Sequence, residues 1–156
     1  MAPRTLIFCI SEMSPILVAR WKDDLPTLSA LAAQGVSGHT RYSVPYYLTP
    51  QMWATIHTGV GAGKHGLFDY HQRDETGTFH ETRGKDISAP VWWSYLQKAQ
   101  VAAGIVNLPL TYPPSIGRGF MISGQDAPGD HPSIMAPQSL WHEMSAQFGR
   151  YHLKDV

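Results

Sequence analysis

The chain has 156 residues, of which 43% are hydrophobic and 15% are charged, and its 12 Lys and Arg balance its 12 Asp and Glu. This length predicts one domain, and this composition excludes an intrinsically disordered chain. Because positive charge is neither in excess nor clustered, we expect no nucleic-acid surface and no binding to a membrane. The single cysteine, Cys9, excludes an intrachain disulfide.

The first two predicted elements are a strand and a helix. Residues 5–10 are a short apolar run that predicts a buried strand containing Cys9, and the polar pair Ser11 and Glu12 follows it. The run is too short for a secretory or membrane-spanning segment, so we expect a cytoplasmic protein. Leucines at helical spacing then predict a helix with Pro26 in its first turn and Gly35 at its end.

The middle of the chain predicts two further helices. Residues 37–44 are polar but compatible with a second strand. Thr49 and Pro50 open a helical pattern that Gly59 closes, since threonine is a good N-cap and proline favours the first turn. Residues 90–98 predict another helix, whose two tryptophans we expect in the core or against the sheet.

The last third of the chain predicts two strands, a loop and a helix. The strands cover residues 102–108 and 120–123, and residues 126–137, rich in Pro, Gly and Asp, predict a loop. The final helix carries Leu140, Met144 and Phe148 on one face.

Strands that alternate with helices predict an α/β layered fold with a mostly parallel sheet. Ligands of such sheets gather at the carboxyl ends of the strands. The candidate site residues are therefore Ser11 and Glu12 after the first strand, Thr49 at a helix start, and Asn107 at a strand end.

Thr49 has two interpretations. As a helix cap it would only satisfy a backbone N–H group. As a nucleophile it would lie where free N–H groups and the positive end of the helix dipole favour both a phosphate oxygen and an alkoxide. A hydroxyl is a poor nucleophile at its free pKa, so a metal would have to activate it.

Six segments carry a wider pattern. They are LPTLSALAAQG at residues 25–35, TPQMWATIHTG at 49–59, GKHGLFDY at 63–70, APVW at 89–92, GIVNLPLTYPP at 104–114 and GFMISG at 119–124. In this order and spacing they resemble the N-terminal part of the type I phosphodiesterase/nucleotide pyrophosphatase branch of the alkaline phosphatase superfamily. The resemblance covers nearly the whole chain.

The resemblance implies that residues 1–156 are the N-terminal part of one alkaline phosphatase-like domain. It implies an α/β/α sandwich with a mostly parallel sheet, incomplete here at its C-terminal side. It also implies two divalent metals, commonly zinc, a small phosphoester substrate, and Thr49 as the nucleophile that forms a covalent phospho-enzyme. The His65-Gly66 pair matches a motif that we interpret as a structural turn under the nucleophile's helix.

Two positions, Ser11 and Tyr70, depart from the family. Ser11 stands where the family places an Asp metal ligand, and serine is a poorer ligand for a zinc-class ion; Glu12 could replace it only if the strand end shifted by one residue. Tyr70 stands where nucleotide pyrophosphatases have a phosphate-binding Asn, which weakens the case for nucleotide diesters. Asn107 could bind a phosphate oxygen or only hydrogen-bond a loop.

The family draws further metal ligands from the second half of a longer chain. Asp130-His131 has the same two residues as an Asp-His pair of metal ligands in the family. No apolar strand precedes it, however, so we interpret it as part of a loop. The other histidines do not have the spacing of a ligand set. We therefore expect that this chain alone does not bind the metals tightly, and that a complementing C-terminal chain would complete the site.

Two functions remain open. The chain is either the N-terminal fragment of a metal-dependent phosphoester hydrolase, inactive alone, or a non-catalytic remnant or phosphate-binding module that has lost the metal site. Ser11 favours the second function. The hydrolase interpretation requires Thr49 to cap its helix and to lie at the same sheet edge as Ser11 and Glu12.

Overall fold

The computed structural model describes residues 4–40, 48–149 and 151. The chain divides into two compact units, with the boundary between residues 42 and 43. None of the helices in the described ranges combines the length and the apolar character that a membrane span requires. The assignment of residues 1–156 to a single domain stays a prediction.

The described part of the N-terminal unit contains two helices, α1 (Pro15–Arg20) and α2 (Pro26–Gln34). Each begins with a proline, which costs no hydrogen bond there because the first N–H groups of a helix have no intrahelical partner. Gly35 follows α2 directly. The helix predicted from Pro26 to Gly35 is confirmed.

The buried strand predicted over residues 5–10 is wrong. These residues form no regular structure, and Leu6 and Phe8 are 86% and 82% exposed. Cys9 is exposed as well, so its predicted burial is also wrong. A strand must pair its backbone N–H and C=O groups with a neighbouring strand, and residues 4–40 contain none. Residues 37–40 of the second predicted strand also lack regular structure, and residues 41–44 lie outside the described residues.

The described part of the second unit contains four α-helices, α3 (Thr49–Thr58), α4 (Ala62–His65), α5 (Trp92–Lys98) and α6 (Ser139–Phe148), and two short 3-10 helices, Gly84–Asp86 and Pro132–Ile134. Gly59 and Gly66 follow α3 and α4 with φ of 71° and 82°, a left-handed conformation that a side chain would strain. The three helices predicted beyond residue 48 are confirmed. The short α4 was not predicted.

The strands form two small sheets. A hairpin pairs β1 (His71–Arg73) with β2 (Phe79–Glu81), and a second sheet has the order β3 (Ala103–Leu108), β4 (Gly119–Ser123), β5 (Met135–Ala136). β3 and β4 are parallel, whereas β5 is antiparallel to β4. The predicted α/β class and the two C-terminal strands are confirmed. The sandwich and the mostly parallel sheet stay predictions.

The loop predicted at residues 126–137 is wrong in its last part. A short 3-10 helix (Pro132–Ile134) leads directly into β5. Ile134 and Met135 are fully buried and pack with Ile122 of β4. Burial of these two side chains fixes a segment whose composition alone is typical of a loop.

Three clusters of buried residues form the core of the second unit. They comprise Trp93, Ile105 and Met121 between α5 and the sheet; Ala54, Leu67 and Leu110 under α3; and Ile122, Ala127, Ile134 and Met135, against which Trp141 packs. Trp92 packs against the first cluster. The core role predicted for the tryptophans is confirmed.

Candidate active site

Thr49 is the first residue of α3, a helix of 10 residues. Leu48 occupies the N-cap position, since its backbone is extended and its carbonyl accepts the first helical bond from Met52 N at 3.0 Å. The prediction that Thr49 caps the helix is therefore wrong by one residue, because no side-chain capping bond forms. Thr49 still lies in the first turn, where backbone N–H groups without helical partners and the positive end of the dipole are concentrated.

The side chain of Thr49 is held by a distant hydroxyl. Tyr70 Oη donates a hydrogen bond to Thr49 Oγ1 at 3.0 Å, across 21 residues of sequence. Both residues are exposed, and Tyr70 retains 48% of its accessible surface. The oxygen predicted as the nucleophile is thus accessible to a ligand and already accepts one hydrogen bond.

His65 fixes the turn beneath α3. Leu67 N donates to His65 Nδ1 at 3.1 Å, so Nδ1 carries no proton and Nε2 carries it in the neutral ring. Nε2 lies 3.1 Å from Thr55 Oγ1, and that hydroxyl donates to Gln51 O at 3.0 Å. Burial lowers the pKa of His65 below its usual value of 6.5, which favours this neutral form. The structural turn predicted for His65-Gly66 is confirmed.

His57 ties α3 to the end of β3. Its Nε2 donates to the carbonyl of Pro109 at 2.7 Å, and its ring packs against Trp53 and Trp93 with centroid distances of 5.5 and 5.0 Å. Burial is the largest influence on its pKa and lowers it. The ring is therefore neutral near pH 7 and connects two elements, in keeping with the structural interpretation of the histidines.

Asn107 lies at an irregularity of β3. The pairing register of β3 with β4 shifts between Val106 and Leu108, and Asn107 itself is exposed with φ of 54°. Among the hydrogen bonds of the described residues, none joins Asn107 to Thr49. A phosphate-binding role for Asn107 stays a prediction.

Ser11 and Glu12 belong to the N-terminal unit. Both are exposed at a turn that follows residues 4–10, and Glu12 has φ of 58°. Thr49 belongs to the other unit, so the predicted convergence of the three residues at one sheet edge stays a prediction.

The donors around Thr49 do not fit a pair of divalent metals. Within the described ranges, no group of three or more His, Cys, Asp or Glu could hold a metal ion. The hydroxyls of Thr49 and Tyr70 are neutral oxygen donors, whereas zinc-class ions prefer thiolate, imidazole and carboxylate ligands. Among the described residues, the surroundings of Thr49 thus offer two hydroxyl groups and no ligand set for a pair of zinc-class ions.

Sequence reasoning missed two polar groups. Tyr70 was noted as a departure from the family, but not as a neighbour of Thr49; its place soon after the His65-Gly66 turn was the available signal. Asp126 was assigned to a loop, yet its carboxylate accepts hydrogen bonds from Thr111 N and Tyr112 N at 3.3 and 2.9 Å. No periodicity or motif in the sequence pointed to that contact.

One comparison with known proteins gave a match. The family model described as type I phosphodiesterase / nucleotide pyrophosphatase matches residues 5–149. No curated protein and no solved structure matches the chain.

Proposed function

The chain belongs to the type I phosphodiesterase / nucleotide pyrophosphatase family, and we propose that it provides the nucleophile of a phosphoester hydrolase, with Thr49 in that role. The observation that carries the proposal is the position of Thr49 Oγ1. It is exposed, lies in the first turn of a 10-residue helix, and accepts a hydrogen bond from another hydroxyl.

The proposed reaction proceeds in two displacements. Thr49 Oγ1 forms a bond to phosphorus and gives up its proton, while the bond from phosphorus to the leaving oxygen breaks and that oxygen takes up a proton. Water then attacks the phospho-threonine, which releases the phosphate product and restores the hydroxyl. The first turn of α3 places positive potential where the phosphoryl oxygens carry negative charge.

Divalent metals, for which the family is known, would supply Lewis-acid stabilisation of the oxygens at the reacting phosphorus if this chain contributes to such a site. Since the described donors near Thr49 do not fit a pair of metals, the ligands would come from other residues. Glu12 is the candidate in this chain, and a complementing C-terminal chain is the source of the rest.

The test compares two preparations with zinc or manganese present. One is the chain of residues 1–156 alone, and the other is the same chain mixed with the proposed complementing C-terminal chain, both assayed with aryl phosphomonoesters and phosphodiesters. We expect no turnover from residues 1–156 alone. With the complementing chain present, Thr49→Ala should lower kcat at least about 1,000-fold because the nucleophile is lost, whereas Thr49→Ser should retain activity. Turnover that persists in Thr49→Ala would refute the proposal.

A second function is favoured by one observation. Ser11 replaces the carboxylate that the family uses as a metal ligand. If the metal site has been lost, the protein would bind a phosphorylated ligand at the first turn of α3 without cleaving it. Binding of inorganic phosphate by residues 1–156 in the presence of the complementing chain, without turnover at any metal concentration, would support this function over the hydrolase.

A further inference from the structure

Two buried histidines connect α3 to the rest of its unit. His57, in the last turn of the helix, donates from Nε2 to the carbonyl of Pro109 at 2.7 Å. His65, beneath the helix, places its Nε2 3.1 Å from Thr55 Oγ1. The two histidines are 1% and 0% exposed, so a proton taken up by either ring would be a charge removed from water.

The second ring nitrogen of His57 has no partner. Because Nε2 donates, Nδ1 of the neutral ring carries only a lone pair, and it has no hydrogen-bond partner among the described residues. The ring packs against Trp53 and Trp93. A proton on Nδ1 would therefore be a charged donor without an acceptor, in contact with two indole rings. Such a group is costly to bury, so protonation disfavours the observed position of the ring.

Protonation of His65 would remove an acceptor. Its Nδ1 accepts a hydrogen bond from the N–H of Leu67 at 3.1 Å. A proton on Nδ1 would set two donors against each other and leave that N–H without its acceptor. Leu67 is 0% exposed, so water does not reach the N–H to replace the lost bond. Both histidines thus make their contacts in the neutral form only.

The charged groups around the two rings do not offset burial. Asp126 raises the pKa of His57, but burial is the larger influence and lowers it. Burial is also the largest influence on the pKa of His65 and lowers it, and a backbone hydrogen bond opposes this. Lys64 of α4 and Lys98 of α5 are exposed, and α3 itself has no Asp, Glu, Lys or Arg.

The helix that carries Thr49 depends on such contacts. A helix of 10 residues is marginal by itself in water, so packing and hydrogen bonds to the rest of the unit keep α3 formed. Thr49 lies six residues before Thr55, about 9 Å along the helix axis. Loss of the contacts at Thr55 and His57 would remove hydrogen bonds from the middle and the end of α3, and would loosen the element that positions Thr49.

We propose that His57 and His65 form an acid-sensitive switch on α3, in which the neutral rings hold the helix in place and protonation of either ring releases it. The released form binds protons that the held form does not. The ratio of released to held α3 should therefore rise as pH falls below 6.5, by up to about tenfold per pH unit for each histidine. Release also displaces the attacking hydroxyl of Thr49, a consequence that rests on the proposed function.

Hydrogen exchange of the amide protons of α3, measured on the chain of residues 1–156, tests the switch. After correction for the intrinsic pH dependence of exchange, their protection should fall roughly 10- to 100-fold between about pH 7.5 and about pH 5.5. At the lower pH it should be smaller than the protection of the amides that pair β3 with β4, because those amides exchange only when the whole unit unfolds.

His57→Gln identifies the groups responsible. Glutamine keeps an N–H that can donate to the carbonyl of Pro109 but does not titrate, so the fall in α3 protection should be up to about tenfold smaller than in the wild type. The matched control is His142→Gln on the exposed face of α6, which should behave as the wild type.

Three results would overturn the switch. They are α3 protection that does not change with pH in the wild type, protection of α3 equal to that of β4 at about pH 5.5, and an equal fall in the wild type and His57→Gln. The wild-type measurement suffices if the variant does not fold. Exchange requires no turnover, so the switch is decided even if the activity of Thr49→Ala shows that the proposed function is wrong.

Discussion

Replacement of Leu67 by alanine tests whether the packing under α3 holds the candidate site together. Leu67 is 0% exposed and packs with Ala54 and Leu110, while Trp53 and Ile87 lie against the same cluster. Leu67→Ala removes three carbons, worth about 0.8 kcal/mol each as transferred surface, which gives about 2.4 kcal/mol. The cavity adds to this, so we expect a loss of about 3 kcal/mol in the free energy of unfolding.

Urea denaturation followed by tryptophan fluorescence measures this loss. With a urea dependence of about 2 kcal/mol per molar, the midpoint should fall by about 1.5 M. The control is Ile56→Ala in α3, where the side chain is 58% exposed, and we expect a change within about 0.5 kcal/mol. A loss below about 1 kcal/mol for Leu67→Ala, or equal losses for both variants, would refute the packing argument.

Three further predictions concern acid, glycine geometry and zinc. Burial lowers the pKa of His57 below 6.5 in the folded state. As pH falls below 6.5, the unfolded state therefore binds a proton at His57 before the folded state does, and the free energy of unfolding should fall. Burial raises the pKa of Asp126, which acts in the opposite sense, so the measurement is the slope of unfolding free energy against pH, expected to be shallower in His57→Gln than in the wild type. Gly119→Ala should cost clearly more unfolding free energy than Gly129→Ala: both have positive φ, but only at Gly119 would a Cβ clash with the backbone of Ala103, and equal urea midpoints would contradict this. Titration calorimetry of residues 1–156 should show no one-to-one zinc complex at micromolar protein. A stoichiometric complex that disappears in Glu12→Ala would show instead that Glu12 replaces the Asp ligand of the family.

The candidate site was predicted in part. Thr49 and Pro50 were expected at a helix start and lie there, since a proline in the first turn and a glycine after the last residue are local signals. The cap falls on Leu48 instead, and the Thr49 hydroxyl accepts a hydrogen bond from Tyr70. Tyr70 comes from the segment between α4 and β1, and no local rule anticipates that contact.

The apolar run at residues 5–10 shows that apolar composition alone is not sufficient to predict a buried strand. Its composition predicts a buried strand, yet Leu6 and Phe8 are exposed. Apolar composition says which residues gain from burial, but burial requires a partner surface, and strand formation requires a second backbone to pair with. Within residues 4–40 neither helix supplies that second backbone.

By itself the sequence determined the family, the start and end of α3, the two neighbouring strands β3 and β4, and the turn at His65. The family follows from the order and spacing of six segments, whereas the helix and the strands depend on prolines, glycines and short apolar runs, whose energetics are set within a few neighbouring positions. The tertiary structure alone decided that Tyr70 donates to Thr49 and that His57 bonds the carbonyl of Pro109. Those contacts join residues 21 and 52 positions apart, and they form only because buried side chains bring separate elements together.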